Sequence, residues 1–307
     1  MSTWGEWLGR CRPTDLIGYL DRERREPLPT GTPLDAALGG GLMPGVTVLG
    51  GAASAGKSAI ACDAAQHVAA SGRRVLYLTL DDSRASILKR CAAAWSCSQQ
   101  ARDQGCEPVQ WSRIDRMVAD ELRGATDRRR AAFAAMQRQG TACRLLQLFS
   151  EACPGLIVED SMPSAPVACG QVRQMAEEGE RPHLVVVDYV QQYVTGEPST
   201  DAQEYARVAA VATAFQRLAL DLNVPVLELS SLRKVAKAER GDPQLDWLRG
   251  NGVVGYAAWA AAIVTKNGEG GSGTTGIDLN VVKNKAGRAG MAVSASLYGA
   301  YSRAVVA

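Results

Sequence analysis

Apolar positions along this 307-residue chain fall into short, nearly unbroken runs separated by longer stretches with helical spacing. Five runs read as buried strands: Val46–Gly50, Val75–Leu80, Leu156–Val158, Leu184–Asp188 and Val224–Leu229. Helix-permissive segments lie near residues 57–71, 83–95, 165–178 and 202–221. Strands that alternate with helices must be joined by crossovers, and crossovers put neighbouring strands in parallel. The expectation is therefore an α/β fold with a mostly parallel central sheet. The last third changes character. Ala261–Lys266, Gly276–Lys283 and Met291–Tyr301 predict antiparallel strands on the sheet edge, the first two joined by the Gly-rich stretch 268–273.

Two segments stand outside this alternation. In the first 30 residues Trp4, Trp7 and Leu8 share a helical face, and Leu16, Ile17 and Leu20 share another after a Thr14 N-cap. Helices this short are unstable alone and must dock, either on this chain's own core or on a neighbouring subunit. That divides the chain into a docking arm, 1–30, and one α/β domain, 31–307, which carries a helical excursion at 96–150. The excursion is rich in arginine, including Arg113, Arg116, Arg123, Arg128, Arg129, Arg130, Arg138 and Arg144. Its plain reading is a solvated helical surface; a nucleic-acid face is the alternative.

Composition narrows the classes. Hydrophobic residues make up 46% of the chain, enough for a sizeable core, and a net charge of +2 does not by itself mark a nucleic-acid binder. No apolar stretch reaches the length of a membrane span or a signal peptide, so a soluble, cytoplasmic protein without membrane contact is expected. The eight cysteines include no Cys-x-x-Cys pair, which points to free thiols. The spacing of Cys91, Cys97 and Cys106 fits no standard zinc knuckle.

The candidate chemistry begins at Gly51-Ala-Ala-Ser-Ala-Gly-Lys-Ser58, a full phosphate-loop motif set between an apolar strand and a helix. Glycines at 51 and 56 let the backbone curl so that its N–H groups face a polyphosphate at the positive end of the helix dipole. Gly51, Ala53, Ser54, Ala55, Gly56, Lys57, Ser58 and Ala59 are the candidate nucleotide contacts. Lys57 would reach the β- and γ-phosphates of ATP, and the Ser58 hydroxyl would hold Mg²⁺. The run His183-Leu-Val-Val-Val-Asp188 ends a buried strand in a carboxylate, the place where parallel sheets present ligand groups. Asp188 is therefore the second metal candidate.

With Asp188-Tyr-Val-Gln191 in view, the chain resembles the C-terminal motor domain of the DnaB family of ring-shaped replicative helicases, whose signature is Asp-Tyr-Leu-Gln. Leu34–Gly45 resembles that family's lead-in to the phosphate loop, and Leu222–Leu232 its strand and sensor segment. Leu245-Asp-Trp-Leu-Arg249 with Gly252 resembles its Leu-Arg motif, and Lys283-Asn-Lys285-Ala-Gly287 its terminal basic motif. The resemblance covers roughly residues 30 to 305 and implies a RecA-like core that assembles into a homo-hexamer with ATP between subunits. It implies further that Asp81 orients the attacking water, that Gln191 joins the catalytic set, and that Lys283 and Lys285 act on the neighbouring subunit's γ-phosphate. Single-stranded DNA would pass through the ring, held by the loop 195–202 and by Arg233, Lys234, Lys237, Arg240 and Arg249. A primase or a loader is the implied protein partner, and the segment 14–25 matches the family's linker helix.

Four residues depart from the family pattern. Asp81 stands for its catalytic Glu and is one methylene shorter; Ser231 stands for the sensor Gln; Gly250 replaces an acidic residue; and Lys285 replaces an Arg, giving up the planar fork that grips phosphate. Together they imply slower hydrolysis or looser coupling to DNA. The family's N-terminal collar has no counterpart in the 30 residues before the core. Two other readings stay open: an ATP-binding ring or filament that scaffolds other components, and a RadA- or KaiC-like relative. For the latter, Lys283-Asn-Lys-Ala-Gly is similar to RadA's Lys-Asn-Arg-Phe-Gly.

Overall fold

The computed structural model describes residues 26–195, 201–233, 241–249, 253–269, 271 and 273–307. The expected helices around Trp4, Trp7 and residues 14–25 lie outside the described residues.

The chain enters the domain through a bridge between Leu28 and Leu42 and a six-residue helix, α1 (Pro33–Leu38). Pro33 and the Thr32 N-cap, whose side chain accepts from Leu34 N, set its start. Asp35 reaches back to accept from the backbone N–H groups of Thr30 and Gly31 and from the Thr30 hydroxyl at 2.7–3.0 Å, which fixes the approach to the sheet. A side chain at Gly41 would collide with the Leu28 carbonyl at 2.1 Å, so the bridge needs glycine there.

Strand β1 (Gly45–Gly51) is buried at every position and feeds α2 (Lys57–Ala70). Next come β2 (Val75–Thr79), α3 (Arg84–Ser96) and four further helices: α4 (Gln99–Asp103), α5 (Trp111–Glu121), α6 (Arg128–Met136) and α7 (Ala142–Ala152). The alternation resumes with β3 (Leu156–Glu159), α8 (Ala165–Glu177), β4 (Leu184–Asp188), α9 (Asp201–Leu222) and β5 (Pro225–Ser231). A short helix, α10 (Val253–Ala257), leads to β6 (Ala260–Glu269), β7 (Thr275–Asn284), β8 (Met291–Tyr298) and β9 (Arg303–Val306).

The nine strands form one sheet in the order β3-β2-β4-β5-β1-β6-β7-β8-β9. Apolar layers cover both faces. One is built around Leu49, Ile60, Tyr77, Ile87, Trp95 and Phe149, the other around Val48, Val187, Val208, Phe215 and Ile263. Burial on both sides explains why the first five strands read as continuous apolar runs.

Two expectations need correction. The apolar pattern at 261–266 predicts a strand of the antiparallel edge, but β6 pairs parallel with β1, Thr47 opposite Ala260 through Gly51 opposite Val264. The chain between β5 and β6 crosses over by way of α10, so β6 returns in the same direction; antiparallel pairing begins only at β7. The stretch Met291–Tyr301 is not one strand. A 3-10 turn at Gly299–Tyr301 and a left-handed Ser302 (φ 49°) reverse the chain into β9.

Candidate nucleotide site

The site grows from the β1–α2 junction. Ser54 (φ 57°) and Gly56 (φ 104°) adopt left-handed backbone, and a Cβ on Gly56 would lie 2.6 Å from Leu297 Cδ2. Glycine is therefore required by strain and by space together. No side chain caps the N-terminus of α2, so its first-turn amides remain open to an anion. Lys57 Nζ donates to the carbonyls of Gly51 and Ala52, both at 2.9 Å, which sets the ammonium over the loop. Burial pushes the Lys57 amine below its usual range, while Asp188 and Asp81 pull it back up.

Asp188 ends β4 and is 3% exposed. Tyr77 Oη donates to its Oδ2 at 2.9 Å from the neighbouring strand β2, and the Ser58 hydroxyl hydrogen-bonds it from α2. Burial raises its carboxyl to about 6; the Tyr77 and Ser58 bonds and Lys57 oppose that rise, and Asp81 adds to it. A buried, hydrogen-bonded carboxylate beside a hydroxyl at a phosphate loop has the donor set of a Mg²⁺ site.

These groups open on one cavity of about 580 Å³, a volume suited to a nucleotide. Residues 53, 54 and 56–59 line it, together with Asp81, Arg90, Asp188, Tyr189, Ser231, Leu297 and Gly299. Gly51 and Ala55 are buried beneath the loop. The residues present thus fit a Mg²⁺–nucleoside triphosphate: open amides, a lysine, a hydroxyl–carboxylate pair and a glycine cradle. Asp81 faces this cavity, and its Oδ1 accepts from Gln192 Nε2 at 3.0 Å. Asp82 instead stabilises the start of α3, accepting from Ser83 N at 2.9 Å and the Ser86 hydroxyl at 2.7 Å.

The profile of the DnaB-like helicase C-terminal domain matches residues 28–302, nearly all of the chain. The chain belongs to the DnaB family. The ATPase domain of G40P has the same fold, with a TM-score of 0.71 at 16% identity, covering 100% of this chain and 99% of the other. A DnaB-like replicative helicase, solved for its interactions with primase, gives 0.69 at 15% identity over 96% of this chain and 68% of its own. The DNA repair protein RadA from two strains of Mycobacterium tuberculosis is 43% identical over 76 residues, which is 24% of this chain and 16% of RadA. The likeness to RadA is thus local, while the DnaB profile spans the whole domain. The fold is the RecA-like helicase fold, and the domain is an ATPase of the DnaB type.

Not every DnaB-like position expected from the sequence meets at this cavity. Gln191 is buried, and its Nε2 donates to Ser230 Oγ at 2.7 Å and to the Arg249 carbonyl at 3.2 Å. It braces β5 and does not line the cavity; its neighbour Gln192 is the glutamine that touches Asp81. Lys283 Nζ donates to the carbonyls of Gly255 (2.9 Å) and Tyr256 (2.7 Å) at the end of α10. Lys285 is exposed, with its Nζ 5.8 Å from the Trp259 ring centroid. Neither lysine lines its own chain's cavity. Arg233 is held by Asp246, through the backbone carbonyl at 2.9 Å and Oδ2 at 3.2 Å, and Arg249 N donates to Ser231 O at 2.9 Å. Lys234, Lys237, Arg240 and Gly250 lie outside the described residues, as does most of the loop 195–202.

Sequence reasoning missed Arg90, Tyr77 and Gln192. Arg90 enters the cavity from α3 with its guanidinium carbon 4.1 Å from the Trp111 ring centroid, and Trp111 Nε1 donates to Gly299 O at 3.3 Å. The one available signal was Tyr77, a hydroxyl in a strand otherwise built to be buried.

Proposed function

We propose that the protein is an ATP-hydrolysing ring motor that translocates on single-stranded DNA, a helicase of the DnaB type. The observation that carries this reading is the meeting of the phosphate loop, Asp188 and Asp81 in one cavity, within a domain of that family. The loop amides and Lys57 bind the phosphates of ATP, and Ser58 and Asp188 hold Mg²⁺. Bound there, the metal would neutralise charge on the β- and γ-phosphates. Asp81, oriented by Gln192, aligns water for attack, and Arg90 adds a cation from the same chain. Lys283 and Lys285, lying away from their own cavity, complete the site of an adjacent subunit in a homo-hexamer. Single-stranded DNA is the track, contacted by Arg233, Arg249 and the basic segment 233–242. Primase or a loader is the protein partner in this reading.

The test is steady-state ATP hydrolysis with Mg²⁺, with and without single-stranded DNA, using Lys57→Ala as the blank. The expected outcome is a DNA-stimulated rate that falls to background in the variant. ATP binding with negligible hydrolysis under both conditions would overturn the motor in favour of a nucleotide-bound scaffold. A specific observation favours that second reading. The Ser231 hydroxyl, at the end of β5 where the family carries a longer glutamine, lines the cavity with no hydrogen-bond partner among the described residues, and its shorter side chain reaches less far toward a bound phosphate.

A further inference from the structure

The helical excursion carries an imbalance of charge that its own structure does not explain. Residues 111–144 contain eight arginines against four acids, in a chain whose net charge is +2. All four acids are committed. Asp115 pairs with Lys89, Asp120 pairs with Arg123, Asp127 caps α6 through Arg130 N, and Glu121 accepts from Ala142 N and Cys143 N at the start of α7. Only one of the eight arginines gains an ion partner from them. Arg128, Arg129 and Arg130 are exposed and have no ion pair among the described residues.

Their position is also unfavourable for the helix. They occupy the first turn of α6, where the dipole repels cations. The inner face of α6 is accounted for: Ala135 is buried, and Ala131, Ala132 and Met136 pack with it on Leu122 and Cys143. The outer face places Phe133, 67% exposed, one turn beyond Arg129 and Arg130. An apolar ring left in water beside planar guanidinium groups combines the two features by which single strands are held, a face for stacking and cations for phosphates. A cavity of about 230 Å³ opens on the same excursion, with Arg113 and Arg144 in its wall beside Gln104 and Gln139.

We propose that the excursion is a second nucleic-acid surface, in which Arg128, Arg129 and Arg130 track the phosphates of single-stranded DNA and Phe133 stacks a base. The surface shares no residue with the lining of the ATP cavity. It still has a packing link to the cavity, because α5 begins at Trp111, whose ring lies against Arg90. Three consecutive guanidinium groups with no ion pair among the described residues match the regular charge spacing of a phosphate backbone, which favours the nucleic acid over an acidic protein.

The test uses the full chain and a fluorescently labelled oligothymidylate, with affinity followed by anisotropy across a salt series. Replacing Arg128, Arg129 and Arg130 together by Ala should weaken binding at low salt by about tenfold or more. It should also reduce the slope of log affinity against log salt by about 2, since each single-strand phosphate contact contributes about 0.7. Replacing the three by Lys keeps the charge and should keep the slope. Phe133→Ala should weaken binding by about tenfold with the slope unchanged, as expected for a lost stack. Melting temperature is the folding control; removing cations from the first turn should hold or raise it. A triple Ala variant with wild-type affinity and slope would overturn the proposal, and so would a wild-type Phe133→Ala. DNA-stimulated hydrolysis plays no part in these readouts, so this surface and the ring motor fail or stand separately.

Discussion

Glu228 sits in the middle of β5, fully buried, with neither carboxyl oxygen hydrogen-bonded among the described residues. Burial alone pushes its carboxyl up to about 8, from an ordinary 4.5. Between those two values the folded state holds a proton that the unfolded state has released. Stability therefore falls as pH rises from about 4.5 to about 8, at about 1.4 kcal/mol per pH unit, and levels off above. Glu228→Gln should remove this dependence, matching the wild type near pH 5 and melting higher near pH 8. Parallel melting curves of the two proteins across that range would contradict it. Tyr77 poses the complementary case, a buried hydroxyl with a purpose. Its bond to Asp188 Oδ2 holds the carboxylate in one orientation and stabilises its charged form. A hydrogen bond to a charged group is worth about 1.5–3 kcal/mol, so Tyr77→Phe should raise the Mg²⁺ concentration needed for nucleotide binding about tenfold or more. Binding measured in chelator should be unchanged, because the phosphate loop is untouched. An unaltered Mg²⁺ requirement would remove Tyr77 from the site.

Elements were legible in the sequence to the degree that burial fixed them locally. The apolar run Leu184–Asp188 coincides with β4, and the runs for β1, β2, β3 and β5 end within two residues of the strands, because double-sided burial writes a continuous apolar run. Strand direction was not written there. Whether β6 runs with or against β1 depends on the crossover before it, and no residue in Ala261–Lys266 encodes that. The turn into β9 rests on the left-handed Ser302, a conformation that serine gives little notice of. The same divide runs through the site. Lys57, Ser58 and Asp188 could be found because backbone order alone brings strand end and loop together, and Asp81 because the family resemblance places a carboxylate after the second strand. Arg90 could not, since it arrives two turns into α3 and its aim depends on Trp111 from another helix. The choice between Gln191 and Gln192 was a matter of one step in the 3-10 turn Val190–Gln192, which sends the first inward to Ser230 and the second outward to Asp81.

At the scale of the whole molecule, the cavity is built from one chain on every side that the fold can supply, yet the two lysines of the terminal basic motif are elsewhere. Lys283 is anchored on the carbonyls ending α10, and burial together with Lys285 lowers its amine below the usual range. Lys285 projects from an exposed loop over Trp259, and Tyr256, whose carbonyl accepts from Lys283, is 72% exposed. A cation pair that lies away from its own chain's cavity is what the proposed sharing of the site between subunits requires. If the site is shared in this way, it can be broken from either side and mended by mixing. Lys57→Ala disables the loop of its own chain but leaves its Lys285 intact; Lys285→Ala does the converse. Each should be inactive alone as a ring. In a 1:1 mixture about a quarter of the interfaces would join the intact loop of one variant to the intact lysine of the other. Hydrolysis should therefore reappear on mixing, vary with the ratio of the two proteins, and peak near equal amounts. A mixture that stays inactive at every ratio, while still forming mixed assemblies, would mean that Lys285 serves only the chain that carries it.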